Sequence, residues 1–126
     1  MRIVHVVGTI KHGRCGVGDF VKSLDKEMGQ NSRIWHPELK KDLVLADDEI
    51  VHLHTPSKGW ENEFKQVQIY SKVPKRKRYL TLHEWSLASF LRKLQYLFLC
   101  LMSKKIGFSD GFELKNFPYF HESKTY

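Results

Sequence analysis

Arg2-Ile-Val-His-Val-Val-Gly-Thr-Ile-Lys-His-Gly-Arg-Cys-Gly-Val-Gly-Asp-Phe20 decides how the rest of the chain is read. Ile3, Val4, Val6 and Val7 form a β-branched run, the composition of a strand buried on both faces of a parallel sheet. Gly8, Gly13, Gly16 and Gly18 then open a loop in which the backbone can make close approaches. Val17, Phe20, Val21, Leu24 and Met28 recur at helical spacing, so a helix begins at or just beyond that loop. Its free amides and positive dipole end make the loop an anion-site candidate. A glycine-rich strand-to-helix connection with no ligand fits the same residues.

Working outward, the break at 29–32 leads to a short strand at 33–36, stopped by Pro37. Residues 38–48 read as loop with one helical turn. Glu49-Ile-Val-His-Leu-His54 is a strand, ended by the turn residues of Thr55-Pro-Ser-Lys-Gly59. A second helix is expected over 60–70, with Trp60, Phe64, Val67 and Tyr70 on one face. The charged connector 71–78 enters a strand at Tyr79-Leu-Thr-Leu-His83. Ser86 can cap a long helix through residue 102, built on Leu87, Phe90, Leu91, Leu94, Leu97, Phe98 and Leu101. A short strand at 106–109 follows, and 110–126 is aromatic and irregular, with no closing element expected.

Strands alternating with helices imply right-handed crossovers. The expectation is one α/β domain over residues 1–126, a Rossmann-like, mostly parallel sheet with helices on both faces. Ligands of such sheets bind outside the carboxyl ends of the strands. Those ends carry the glycine loop, His54-Thr55, His83-Glu84 and Ser109-Asp110. Four successive ends therefore deliver glycine, imidazole, carboxylate and hydroxyl to one edge, which a binding site explains better than chance does.

Composition bounds the rest. At 126 residues the chain can bury one real core. With 41% hydrophobic and 28% charged residues, wholesale disorder is excluded. The net charge of +7 suits anionic partners such as nucleotides, nucleic acid or an acidic membrane surface, without choosing among them. Cys15 and Cys100 are too few for a disulfide framework and fit a reducing compartment. The N-terminus lacks a signal-peptide layout, and the apolar stretch 94–102, interrupted by Gln95, is far short of a membrane span. A cytoplasmic protein is expected.

His83 beside Glu84 supplies the parts of a general base or of a hydrogen-bond donor to a charged intermediate; a strand-end histidine and a capping Glu would look the same. His52 and His54 share a face by the strand period, His52 expected in the core and His54 in the site. With His83 they make a His-x-His pattern, but no acidic or cysteine ligand joins at a clear spacing, so no metal is expected. Cys15 near a helix start has no assignable histidine partner for nucleophilic work. The helix over 87–102 is apolar round much of its circumference, which reads as burial against the sheet. Its flanking Arg92, Lys93, Lys104 and Lys105 leave a peripheral membrane contact open. Only the net charge and the run 75–78 speak for nucleic acid, and no reader motif accompanies them.

The ordered set MRIVHVV, CGVGDFVKSL, VHLHTPS and YLTLHEWS resembles the N-terminal domain of retaining GT-B glycosyltransferases across essentially the whole chain. The resemblance implies two facing Rossmann-like domains, the N-terminal one holding the acceptor and the C-terminal one the nucleotide sugar. It implies Gly16 and Gly18 near the donor diphosphate, and His83 as the catalytic contact to the transferring sugar. It also implies His54 and Thr55 along the acceptor cleft, Ser109 on its floor and Glu84 beside the histidine. The nucleotide sugar would be a co-substrate, a hydroxyl the acceptor, and no metal or other cofactor would be needed. The chain has Cys15-Gly16 where the family often has Gly-Gly, and His83-Glu84 where it often has His-Asp. The resemblance further implies a chain cut before its donor domain and inactive alone, with a C-terminal domain or subunit as partner. A non-enzymatic, basic binding module for an anionic glycan, nucleotide or partner protein is the alternative.

Overall fold

The computed structural model describes residues 1–11, 13, 15–55, 57–60, 64–83, 90–108 and 123–125, with the backbone alone at 108 and 123–125. The strands are β1 (Arg2–Val6), β2 (Ser32–Trp35), β3 (Glu49–Thr55), β4 (Arg78–Leu82), β5 (Lys105–Phe108) and β6 (Ser123–Thr125). The helices are α1 (Gly16–Met28), α2 (Phe64–Ser71) and α3 (Phe90–Met102). All strand pairings are parallel, in the order β2-β1-β3-β4-β5-β6. This is the expected α/β, Rossmann-like sheet. The expectation of no closing element past residue 110 is corrected, because β6 pairs Ile106 to Ser123 and Phe108 to Thr125. Three residues of mixed polarity carry too little periodicity to announce a strand.

The chain steps from β1 outward to β2, then returns to β3 and proceeds through β4 and β5 in the opposite direction. Right-handed crossovers then put α1 on one face of the sheet and α2 and α3 on the other. The side chains obey this. Val4, Val6, Val51, Leu53, Leu80, Leu82 and Ile106 are buried together with Tyr70 and Val73, and with Tyr96, Leu99 and Cys100 of α3. The alternate residues of the same strands, Ile3, His5, Ile50, His52, His54, Tyr79 and Thr81, face α1 instead.

Polar ties close the aliphatic side. Arg78 donates to the carbonyls of Ser71, Val73 and Met102 at 2.9, 2.7 and 3.0 Å, so one guanidinium serves the C-terminal ends of α2 and α3. Lys77 Nζ donates to the carbonyls of Ala46 and Asp47 at 3.3 and 3.0 Å. Two of the four cations of the run 75–78 are thus engaged in the fold. Ser103 Oγ donates to the Leu99 carbonyl at 2.7 Å and lies 2.6 Å from Tyr70 Oη. At the sheet margin the Arg33 fork meets both oxygens of Glu49 at 2.8 and 3.0 Å and holds that carboxyl below its usual range.

Two helices differ from expectation. α2 buries Gln66 and Tyr70 and leaves Phe64 69% exposed, and Trp60 lies before the helix, in the loop after β3. α3 is not buried all round: Tyr96, Leu99 and Cys100 face the core, whereas Phe90, Leu91, Leu94, Phe98 and Leu101 are exposed. Only one stripe of it meets the sheet, since a helix lying flat on a surface covers about a third of its circumference. Among the described residues no helix is long and apolar enough to cross a membrane.

Candidate functional site

The strand order reverses between β1 and β3, and the loops that leave these two strands are locked together. Gly8 N donates to Ser57 Oγ at 3.0 Å, Trp60 Nε1 donates to the same oxygen at 3.0 Å, and Lys58 N donates to Cys15 Sγ at 3.3 Å. Gly8 and Gly59 meet back to back: a Cβ on Gly8 would lie 2.1 Å from the Lys58 carbonyl oxygen, and Gly59 holds φ +106°. Gly18, one turn into α1, is equally constrained, because a Cβ there would lie 2.2 Å from the Thr9 carbonyl oxygen. Its role is to let α1 seat on the loop. Gly16 is exposed at the helix start and lines the cleft beside it. The Gly13 amide faces the Asp19 carboxylate at 3.3 to 3.4 Å, so the chain's own anion meets this amide of the loop.

Beneath these loops a cleft of about 1240 Å³ opens between α1 and the sheet. Phe20, Leu24 and Met28 of α1 form one wall, and Trp60 and Cys15 stand at the loops. The floor is imidazole and hydroxyl: His5, His52, His54, Thr81 and His83. Register explains the gathering. His5 pairs with His52 across β1 and β3, and His54 pairs with Thr81 across β3 and β4. The histidines then form a chain. His5 Nδ1 and His54 Nε2 share a hydrogen bond at 3.1 Å, and His54 Nδ1 and His83 Nε2 share another at 3.1 Å. A neutral His54 donates at one nitrogen and accepts at the other, so the chain has a single polarity from end to end. His52 Nε2 bonds Thr81 Oγ1, and the His52 and His54 rings lie tilted by 33° with centroids 4.1 Å apart.

Burial sets the charge state. His54 is fully buried, and desolvation together with its histidine neighbours pushes its pKa well below 6.5. Burial lowers His52 to about 3 and His83 to about 4, and lowers His5 as well. The cleft floor is therefore neutral near pH 7, and its rings donate and accept hydrogen bonds without carrying charge. His83 is the end of the chain nearest the mouth; its backbone N donates to the Thr55 carbonyl at 2.8 Å, and Phe20 meets its ring edge-on at 5.4 Å.

Of the expected site residues, the structure brings together Gly16, His54 and His83. Thr55 departs from expectation. One residue beyond His54 it points to the opposite face, fully buried, with no hydrogen-bond partner at its Oγ1 among the described residues. His52 departs too, lining the cleft rather than the core. Glu84 and Ser109 lie outside the described residues. Sequence reading missed His5, hidden in the valine run, and used Phe20 only as a marker of the helix, not as a wall of the cleft. Counting by twos from Ile3 would have placed His5 on the α1 face, though the register that sets it against His52 is not written in the sequence. No family model matches the chain, and neither a curated protein nor a solved structure matches it.

Proposed function

We propose that this domain is the acceptor-side half of a GT-B type glycosyltransferase, which moves a sugar from a nucleotide-sugar donor to a hydroxyl held in the histidine-floored cleft. The observation that carries this reading is the pairing of an apolar wall with a neutral imidazole floor at the strand-order reversal. A saccharide presents that same duality, with C–H faces that pack on Phe20 and Trp60 and hydroxyls that bond to imidazole nitrogen. His83, held by His54 at the mouth, is the catalytic contact to the transferring sugar, and its neutral ring can polarise a hydroxyl at physiological pH. The donor diphosphate belongs to a facing domain, with the loop at Gly16 and the positive charge of Lys58 and Arg92 supporting it from this side. The net charge of +7 also fits the alternative, a binding module that holds an anionic glycan without transferring anything.

The test is transfer of labelled sugar from a panel of uridine and guanosine diphosphate sugars to saccharide acceptors, with this chain supplied alongside a donor-binding GT-B domain. Donor-dependent product is expected, with about 10²-fold loss in His83→Ala. Acceptor binding in the cleft without any transfer would overturn the reading in favour of the binding module.

A further inference from the structure

The cleft floor holds more imidazole than contact with one sugar requires. His5, His52 and His54 each place a ring nitrogen within 4.8 Å of the other two. His5 Nδ1 and His54 Nε2 are 3.1 Å apart, close to the roughly 3.3 Å kept by two nitrogens bound to one tetrahedral zinc ion. All three rings are buried, which favours the uncharged imidazole that ligates metal. Each of two rings has an outer partner of the kind that orients a ligating histidine: Thr81 Oγ1 holds His52, and His83 holds His54. The third ring, ligating through Nδ1, keeps its Nε2 buried and without a hydrogen-bond partner among the described residues, so it has no such outer partner.

We propose that His5, His52 and His54 form a three-imidazole site for a divalent cation of the zinc class, with the fourth coordination position facing the cleft. Imidazole-only ligation selects zinc, nickel or copper over magnesium and calcium, which take oxygen donors. Three protein ligands leave one position for water or for an oxygen of whatever occupies the cleft. The strands impose the arrangement: His52 and His54 are two apart on β3, and register lays His5 of β1 against His52. The site is independent of the transfer reading, and would stand in a binding module as well.

Chelator-treated full-length chain is titrated with Zn²⁺ by calorimetry, and separately with Co²⁺ followed by visible absorption. One equivalent of zinc, a tetrahedral cobalt spectrum and a zinc-dependent rise in melting temperature are expected. His5→Gln and His54→Gln should each weaken zinc binding by about 100-fold or more, at least the effect of losing an outer-shell partner. Circular dichroism of the metal-free variants checks folding; should His54→Gln unfold, the wild-type spectrum and His5→Gln decide alone. Failure of the wild type to take one equivalent, unchanged affinity in His5→Gln, or loss of binding in Cys15→Ser while His5→Gln binds normally would overturn the proposal. None of these readouts depends on sugar transfer.

Discussion

The two faces of this sheet are built from the same strands and do opposite things. On one face Val4, Val6, Val51, Leu53, Leu80 and Leu82 interlock with α2 and α3, and every side chain among them is at most 1% exposed. On the other, a shift of one residue exchanges aliphatic groups for His5, His52, His54 and Thr81, and the covering helix α1 stands off far enough to leave a cleft. A parallel strand needs both faces covered but not both covered alike. The aliphatic face supplies the hydrophobic stabilisation that lets the histidine face carry buried polar groups, whose hydrogen bonds roughly offset their desolvation at best.

The sharpest way to break that contrast is Leu53→Ala. It removes a side chain 1% exposed from the aliphatic face and should cost about 2–5 kcal/mol in urea unfolding while leaving the cleft's histidines in place. A loss well under that range would mean that the aliphatic face does not dominate stability. Acid should act on the other face. In the unfolded chain His52 and His54 protonate near the ordinary value of 6.5, whereas in the folded chain burial holds His52 to about 3 and His54 well below 6.5. The unfolded state then binds more protons as pH falls below 6.5, so stability drops there, with a slope approaching about 1.4 kcal/mol per pH unit for each buried ring. The Glu49 carboxyl, held low by Arg33, contributes stability that is fully present above 4.5, so a comparison of about pH 7 with about pH 5 isolates the histidines. An unchanged urea midpoint between those two conditions would show that the rings are not buried and neutral. The smallest effect is expected from Phe20→Ala. Phe20 is 45% exposed and meets the His54 and His83 rings edge-on, so stability should shift by about 0.5 kcal/mol while affinity for the proposed saccharide ligand falls several-fold. A large loss of stability would make Phe20 part of the core.

Much of the aliphatic face was legible in the sequence, because hydrophobic periodicity is a local property. β1, β3 and β4, the start of α1 and the parallel order follow from runs, glycines and alternation that span only a few residues. The histidine face was legible only in part. His52 and His54 declare their shared side by spacing, but His5 joins them through inter-strand register, which depends on how whole strands align. Thr55 was expected to follow His54 into the cleft, and the strand continues one residue further than the turn signals suggested, which sends its side chain through to the other face. α3 misled in the same way. Its apolar count was right, yet a count does not reveal that the exposed Phe90, Leu91, Leu94, Phe98 and Leu101 face away from the sheet.

The chain also carries a natural pair of clocks. Cys100 is completely buried in the aliphatic core, where burial pushes its thiol up to about 12, and Cys15 sits at the cleft with its sulfur on the Lys58 amide. A thiol must be reached and ionised before an alkylating reagent can capture it. Capture of Cys100 therefore times the opening of the aliphatic face, and capture of Cys15 times the parting of the two loops above the histidines. One chain thus reports two separate openings, each with the residue its own fold provides.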